Sequence, residues 1–215
     1  MKSFVIIGLG RFGRALAMEL FRLGHEVLAI DKNQENVSRV ADYVTHAVTA
    51  DAHDEQVLRS VGVRNFDCAV VAFSGETQDN ILTTLLLKEI GVKYVIAKGH
   101  DELHTRVLQK IGADRVVFPE ADMGARLAQV ISSNNLVDYI EISDEYSIVE
   151  ITAPLKWSGQ SIRKLDVRAR YGLNILVVKS GEGRTLSVVP SPDYVVHKGD
   201  VLVVIGSNED IRRLK

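Results

Sequence analysis

The stretch VIIGLGRFGRALAMELFRLGHEVLAID, residues 5 to 31, constrains the fold of this chain more than any other part of it. An apolar run ends in Gly8-Leu9-Gly10-Arg11-Phe12-Gly13, a helical pattern follows, and a second apolar run closes on Asp31, 18 residues after Gly13. In such a turn the first glycine permits the sharp bend, the second lets the backbone approach a pyrophosphate, and the third packs helix against strand. The helix N-terminus then offers free N–H groups and the positive end of a dipole to an anion. A glycine triplet alone is a weak signal. Set between a strand and a helix, with an aspartate placed to accept both ribose hydroxyls, it reads as an adenine-nucleotide site. Asp31 would repel a 2′-phosphate, and no arginine follows directly in Asp31-Lys32-Asn33, which argues against NADP. Arg11 is the anomaly, because a plain dinucleotide turn needs only small residues there.

The same rhythm continues downstream. Val- and Ile-rich runs at residues 4–7, 27–30, 46–49, 69–73, 94–97 and 116–118 are too short for helices and read as strands. Helical spacing fills residues 14–23, 35–41, 56–61, 78–90, 102–111 and 121–132 between and after them. Strands alternating with helices predict an α/β fold, a Rossmann-like, doubly wound parallel sheet covered on both faces. Gly24, Gly62, Gly91 and Gly112 stand where left-handed helix C-caps belong. Beyond residue 134 the pattern changes to strands at 148–151, 175–178, 186–189 and 201–205, a hairpin turn at 180–183 and one short helix at 162–165. The expected division is therefore a nucleotide-binding lobe over residues 1–134 and, over 135–215, a connection at 135–144 followed by a small α+β lobe.

Composition narrows the function. With 26 basic against 28 acidic residues and no long run of either sign, nothing marks a nucleic-acid stripe or a polybasic membrane anchor. No apolar stretch reaches the roughly 18 to 20 residues that span a bilayer, so any membrane role is expected to run through a partner and the location to be cytoplasmic. The single cysteine, Cys68, lies in an apolar run and reads as a packed core thiol in a reducing compartment. Asp51, after the third strand, is placed either to meet the adenine edge with Ala52 or to serve as a helix N-cap or solvated carboxylate. His100 and His104 stand four apart, but exposed helix histidines are the simpler reading than half a metal site. No proton donor or acceptor stands out for hydride transfer, and no Ser-His-Asp or Cys-His constellation appears, so the chain is not expected to be an enzyme.

Along its whole length the sequence resembles the RCK (TrkA-type) regulators of bacterial potassium uptake, and among them the gating subunits of Ktr-type transporters. The likeness rests on VIIGLGRFG, GHEVLAID, THAVTADA, ILTTLLLKEIG, LQKIGADRVVFPEADMGARLA, YIEISDEYSIVEITAP and DVRARYGLNILVVK. It implies a protein without chemistry of its own, pairing into homodimers that close into a homo-octameric ring beneath a membrane potassium-translocating subunit. It implies too that ATP favours the active ring and ADP the inactive one, with NAD(H) less favoured. Arg11 then has a use, since a guanidinium at the phosphate cradle reaches a terminal phosphate that only ATP carries. The candidate nucleotide set is Gly8, Gly10, Arg11, Phe12, Gly13, Asp31, Lys32, Asp51, Ala52, Ser74 and Lys98. Glu120 matches the family glutamate placed near the γ-phosphates as a ligand of a divalent cation, Mg or Ca; otherwise it is a first-turn helix acid favoured by the dipole. Arg168, Arg170, Asn174 and Ile175 resemble the second-lobe region that takes cyclic di-AMP in some members; a solvated basic helix running into a core strand explains the same residues. The competing readings are an NAD-dependent oxidoreductase and an RCK module serving another cation or proton transporter.

Overall fold

Short runs of Val, Ile and Ala whose alternate side chains are buried on opposite faces dictate a sheet that must be covered on both sides. The computed structural model describes residues 1–73, 75, 77–132, 136–180 and 186–214, and in it the first such runs form a parallel six-stranded sheet. In chain order its elements are β1 (Ser3–Ile7), α1 (Arg11–Arg22), β2 (Glu26–Asp31), α2 (Gln34–Ser38), β3 (His46–Thr49), α3 (Glu55–Ser60), β4 (Cys68–Val71), α4 (Thr77–Ile90), β5 (Val95–Lys98), α5 (Glu102–Lys110) and β6 (Arg115–Val117). The strand order is β3-β2-β1-β4-β5-β6, reversing direction at β1/β4, the doubly wound topology the sequence predicts.

The central strands contribute to two separate cores. Val5 and Ile7, Leu28 and Ile30, Ala69 and Val71 pack with Leu58, Leu87 and Leu108 from the helices of one face. The intervening Ile6, Val27, Ala29, Cys68 and Val70 pack with Ala17 and Val37 on the other. Burying each Val, Leu or Ile side chain contributes about 1.5–3 kcal/mol, so these two layers dominate the stability of the sheet. Cys68 is a buried core thiol as expected, its pKa pushed up to about 11 by burial first and then by Asp114. Gly24, Gly62, Gly91 and Gly112 all have positive φ, between 74° and 103°, as left-handed helix ends require.

Contacts divide the chain into a unit over Met1–Pro119 and another over Glu120–Lys215. The second holds nearly all of α6 (Pro119–Ile131), then β7 (Leu136–Glu141), β8 (Tyr146–Thr152), α7 (Ile162–Leu165), α8 (Val167–Tyr171), β9 (Asn174–Lys179), β10 (Leu186–Val188), β11 (Val201–Ser207) and α9 (Asn208–Arg212). Its sheet is antiparallel, in the order β10-β9-β11-β8-β7. Alternate residues of β8 and β11, among them Val149, Ile151, Leu202 and Val204, enclose Trp157. Residues 181–183 of the expected hairpin turn lie outside the described residues. The expected connection at 135–144 is corrected: Leu136–Glu141 is an edge strand whose register shifts between Leu136 and Asp138, which breaks the alternation that would have announced it. Asp138 of that strand receives three hydrogen bonds of 2.7–3.0 Å from the Arg126 guanidinium of α6.

The histidine reading is also corrected in part. His100 is exposed, but His104 is only 3% exposed, because it shares the inward side of α5 with Leu108. Its ring stacks on His100 at 5.3 Å, and neither of its ring nitrogens has a hydrogen-bond partner. Burial, and then the neighbouring His100, hold its pKa below the ordinary histidine value. The folded state therefore resists a proton that the unfolded chain accepts, so this contribution to stability is complete above the ordinary value, about 6.5, and is lost as pH falls from there through the lower folded value. The urea midpoint of the wild type is expected to drop more between about pH 7.5 and 5.5 than that of His104→Phe; equal drops would show that His104 takes up its proton alike in the folded and unfolded states.

Candidate functional site

The sheet brings most of the predicted nucleotide residues to one edge. At the end of β1 the chain turns through Gly8, whose φ of +91° suits only glycine; a Cβ there would lie 2.9 Å from the Phe73 ring and 3.0 Å from the Phe73 nitrogen. A Cβ on Gly13 would stand 1.9 Å from the Gly8 carbonyl oxygen, so the third glycine is what lets α1 begin directly against the turn. Gly10 is the N-cap of α1, supplying no side chain to its free N–H groups, and no acidic residue lies in the first turn. Phe12 packs half-buried against the core beneath.

Arg11 is the first residue of that helix. Its side chain is exposed and makes no hydrogen bond or ion pair with any described residue. A cation at the positive end of a helix dipole, with no carboxylate to offset it, is mildly unfavourable by itself. The same place and charge suit an anionic ligand, which the helix N–H groups would also receive.

Asp31, at the end of β2 and 8% exposed, braces the turn. Its Oδ2 accepts from the Leu9 N–H at 2.6 Å and from Asn36 Nδ2 at 3.2 Å, and its Oδ1 accepts from the Asn33 N–H at 2.8 Å. With two acceptor positions on each oxygen, Oδ1 keeps one for a further donor. Lys32 follows, exposed. Asp51 is not a helix N-cap; that role belongs to Asp54, which accepts from Gln56 and Val57 N–H. Asp51 instead accepts from the His53 N–H at 3.0 Å. That bond above all holds its carboxyl below the usual range; burial, the next effect, opposes it, and the His53 ring and then Lys32 add to the lowering. Ala52 is buried beside it, and Lys98 is buried at the end of β5. Ser74 lies outside the described residues.

The remaining candidates belong to the second unit. Glu120 is exposed in the first turn of α6. Among the described residues no three His, Cys, Asp or Glu side chains group to hold a metal. Arg168 and Arg170 are exposed on α8, while Asn174 and Ile175 open β9. Neither guanidinium pairs with a described residue. Sequence reasoning passed over three residues that matter at the first edge: Asn36, which helps hold Asp31, and His53 and Asp79, which face each other. Only the closeness of His53 to Asp51 in the chain gave a signal.

The TrkA-N domain pattern matches residues 4–119, and the TrkA-C domain pattern matches residues 146–215. The chain belongs to the TrkA family. It is 47% identical over 214 residues to Ktr system potassium uptake protein A of Bacillus subtilis (strain 168), a match spanning 100% of this chain and 96% of that protein. The crystal structure of the GsuK RCK domain shares the fold over 99% of this chain, with a TM-score of 0.56 and 24% identity; this chain spans 45% of its length. A crystal structure of GsuK bound to ADP matches 60% of this chain and 33% of its own, at TM-score 0.52 and 29% identity. The glycine turn, Asp31 and Asp51 all fall within the TrkA-N domain. Arg168, Arg170, Asn174 and Ile175 fall within the TrkA-C domain. Among the described residues no helix is long and apolar enough to cross a membrane.

Proposed function

We propose that this chain is a nucleotide-sensing gating subunit of a potassium uptake transporter, acting by binding and not by catalysis. The observation that carries the nucleotide part is Arg11, unpaired among the described residues, at the head of a glycine turn braced by Asp31. Backbone N–H groups and a helix dipole offer themselves where phosphates would lie, Arg11 heads that helix, and the Oδ1 of Asp31 retains an acceptor position for a ribose hydroxyl. Potassium as the transported ion follows the full-length relationship to the Bacillus subtilis potassium uptake protein. In this reading ATP and ADP compete for residues 8, 10–13, 31, 32, 51, 52, 74 and 98. Their difference at the terminal phosphate biases the shape of a ring that the chain forms beneath its membrane partner. The exposed apolar row Met123, Leu127 and Ile131 on α6, spaced by four, supports self-association through that helix. The unpaired Arg168 and Arg170 near the start of β9 support an anionic second ligand such as cyclic di-AMP in the TrkA-C domain.

Thermal unfolding with ATP, ADP, NADH and NADPH separates this reading from an oxidoreductase, because a ligand stabilises in proportion to its affinity for the folded state. ATP and ADP are expected to raise the midpoint at concentrations where NADPH does not. Stabilisation by NADH alone would overturn the reading. Light scattering of the same samples should exceed the 23.8 kDa of a single chain; that mass alone, with and without nucleotide, would remove the ring.

A further inference from the structure

His53 stands between two carboxylates that come from different elements. Its Nδ1 lies 2.9 Å from Oδ1 of Asp51, in the loop after β3, and its Nε2 lies 3.4 Å from Oδ1 of Asp79, in the first turn of α4. The ring rests against Phe73, with centroids 5.9 Å apart, and Nε2 is enclosed without a hydrogen bond of its own. Lys32 acts on Asp51 from the end of β2. A neutral imidazole carries one N–H, so whichever tautomer forms, a nitrogen lone pair is left pointing at one of the two carboxylates. Only the imidazolium presents an N–H to both.

We infer that His53 is a proton-controlled clamp on the nucleotide site. When the ring is protonated it ties Asp51 to the start of α4, and affinity for adenine nucleotide rises. This rests on the nucleotide reading above, because the consequence runs through Asp51, the residue expected beside the adenine. His53 acts as a positioning residue: it fixes the loop holding Asp51 and Ala52 against α4, so less ordering remains to be done when the nucleotide arrives. The side chain is 22% exposed, enough for protons to exchange with solvent.

The test is the ADP dissociation constant, measured calorimetrically between about pH 5.5 and 8.5 for the wild type, His53→Gln and His53→Arg. The nucleotide's own phosphate ionisation is common to all three and drops out of the comparison. Relative to His53→Gln, the wild type is expected to gain roughly three- to tenfold in affinity on going to the acid end, the factor one further hydrogen bond supplies. His53→Gln, which cannot gain a charge, should lose this dependence, and His53→Arg should bind tightly at both ends. An identical pH slope in wild type and His53→Gln would overturn the clamp. Should the wild type bind no adenine nucleotide at any pH, the nucleotide reading fails, and the clamp is then judged in the ligand-free protein. A double-mutant cycle of His53→Gln and Asp79→Asn, read as urea midpoints at about pH 6, should be non-additive; strict additivity would overturn it.

Discussion

Asp31→Ala is expected to weaken ATP and ADP binding alike by tenfold or more, and to lower the stability of the ligand-free protein as well. Two separate losses produce this. A ribose hydroxyl hydrogen-bonded to a carboxylate is worth about 1.5–3 kcal/mol, and both nucleotides carry the same ribose. In addition, Oδ2 of Asp31 accepts from the Leu9 N–H at 2.6 Å, inside the glycine turn itself. Leu9 is 1% exposed, and removing its acceptor leaves a buried donor unsatisfied, at a cost of about 1–3 kcal/mol. The turn therefore loosens before any ligand arrives. Calorimetry should give an unchanged ATP-to-ADP affinity ratio beside the common loss, and urea titration a lower midpoint. Asp31→Asn separates the two losses, since its amide oxygen can still accept from Leu9 while the charge on the ribose side is gone. Full affinity for both nucleotides in Asp31→Ala would remove this residue from the site.

The legible parts of this chain are those in which one short-range pattern dictates one structure. The central strands of the first sheet announce themselves because strands buried on both faces must be apolar almost throughout, as Cys68-Ala69-Val70-Val71 is. The C-cap glycines and the glycine turn are legible because their backbone angles or close approaches exclude other residues. Leu136–Glu141 hides because an edge strand needs one apolar side only, and its register shift interrupts even that. His104 hides because the α5 pattern fixes which way the residue faces but not what covers it. At the site, Arg11 and Asp31 are legible as types in a motif. The use of Asp31 as a brace of the glycine turn is not, since Leu9 reaches it only once β1 and β2 are paired. The facing of His53 and Asp79 depends likewise on two elements far apart in sequence.

Arg11→Ala is expected to abolish the distinction between three phosphates and two while leaving ADP binding nearly intact. The guanidinium makes no bond with any described residue, so its removal unties nothing among them. At the positive end of α1, with no acidic residue in the first turn, its absence even relieves a small repulsion in the ligand-free protein. Against ATP the balance reverses. A charge-assisted contact to a terminal phosphate is worth about 1.5–3 kcal/mol, so its loss should weaken ATP roughly 10- to 150-fold. ADP, held by the glycine turn and Asp31, should change only slightly. A solvated arginine with no part in phosphate recognition would instead give small and equal changes for both nucleotides. Titrating ATP and ADP against wild type and mutant therefore decides the question through their ratio, and an unchanged ratio would sink the phosphate-sensing role. The same ratio limits regulation: two ligands can shift a conformational equilibrium only as far as their differential affinity for its states allows. The mutant should accordingly respond weakly to ATP in a potassium-uptake assay even at saturation, because occupancy without discrimination leaves the ring nothing to read.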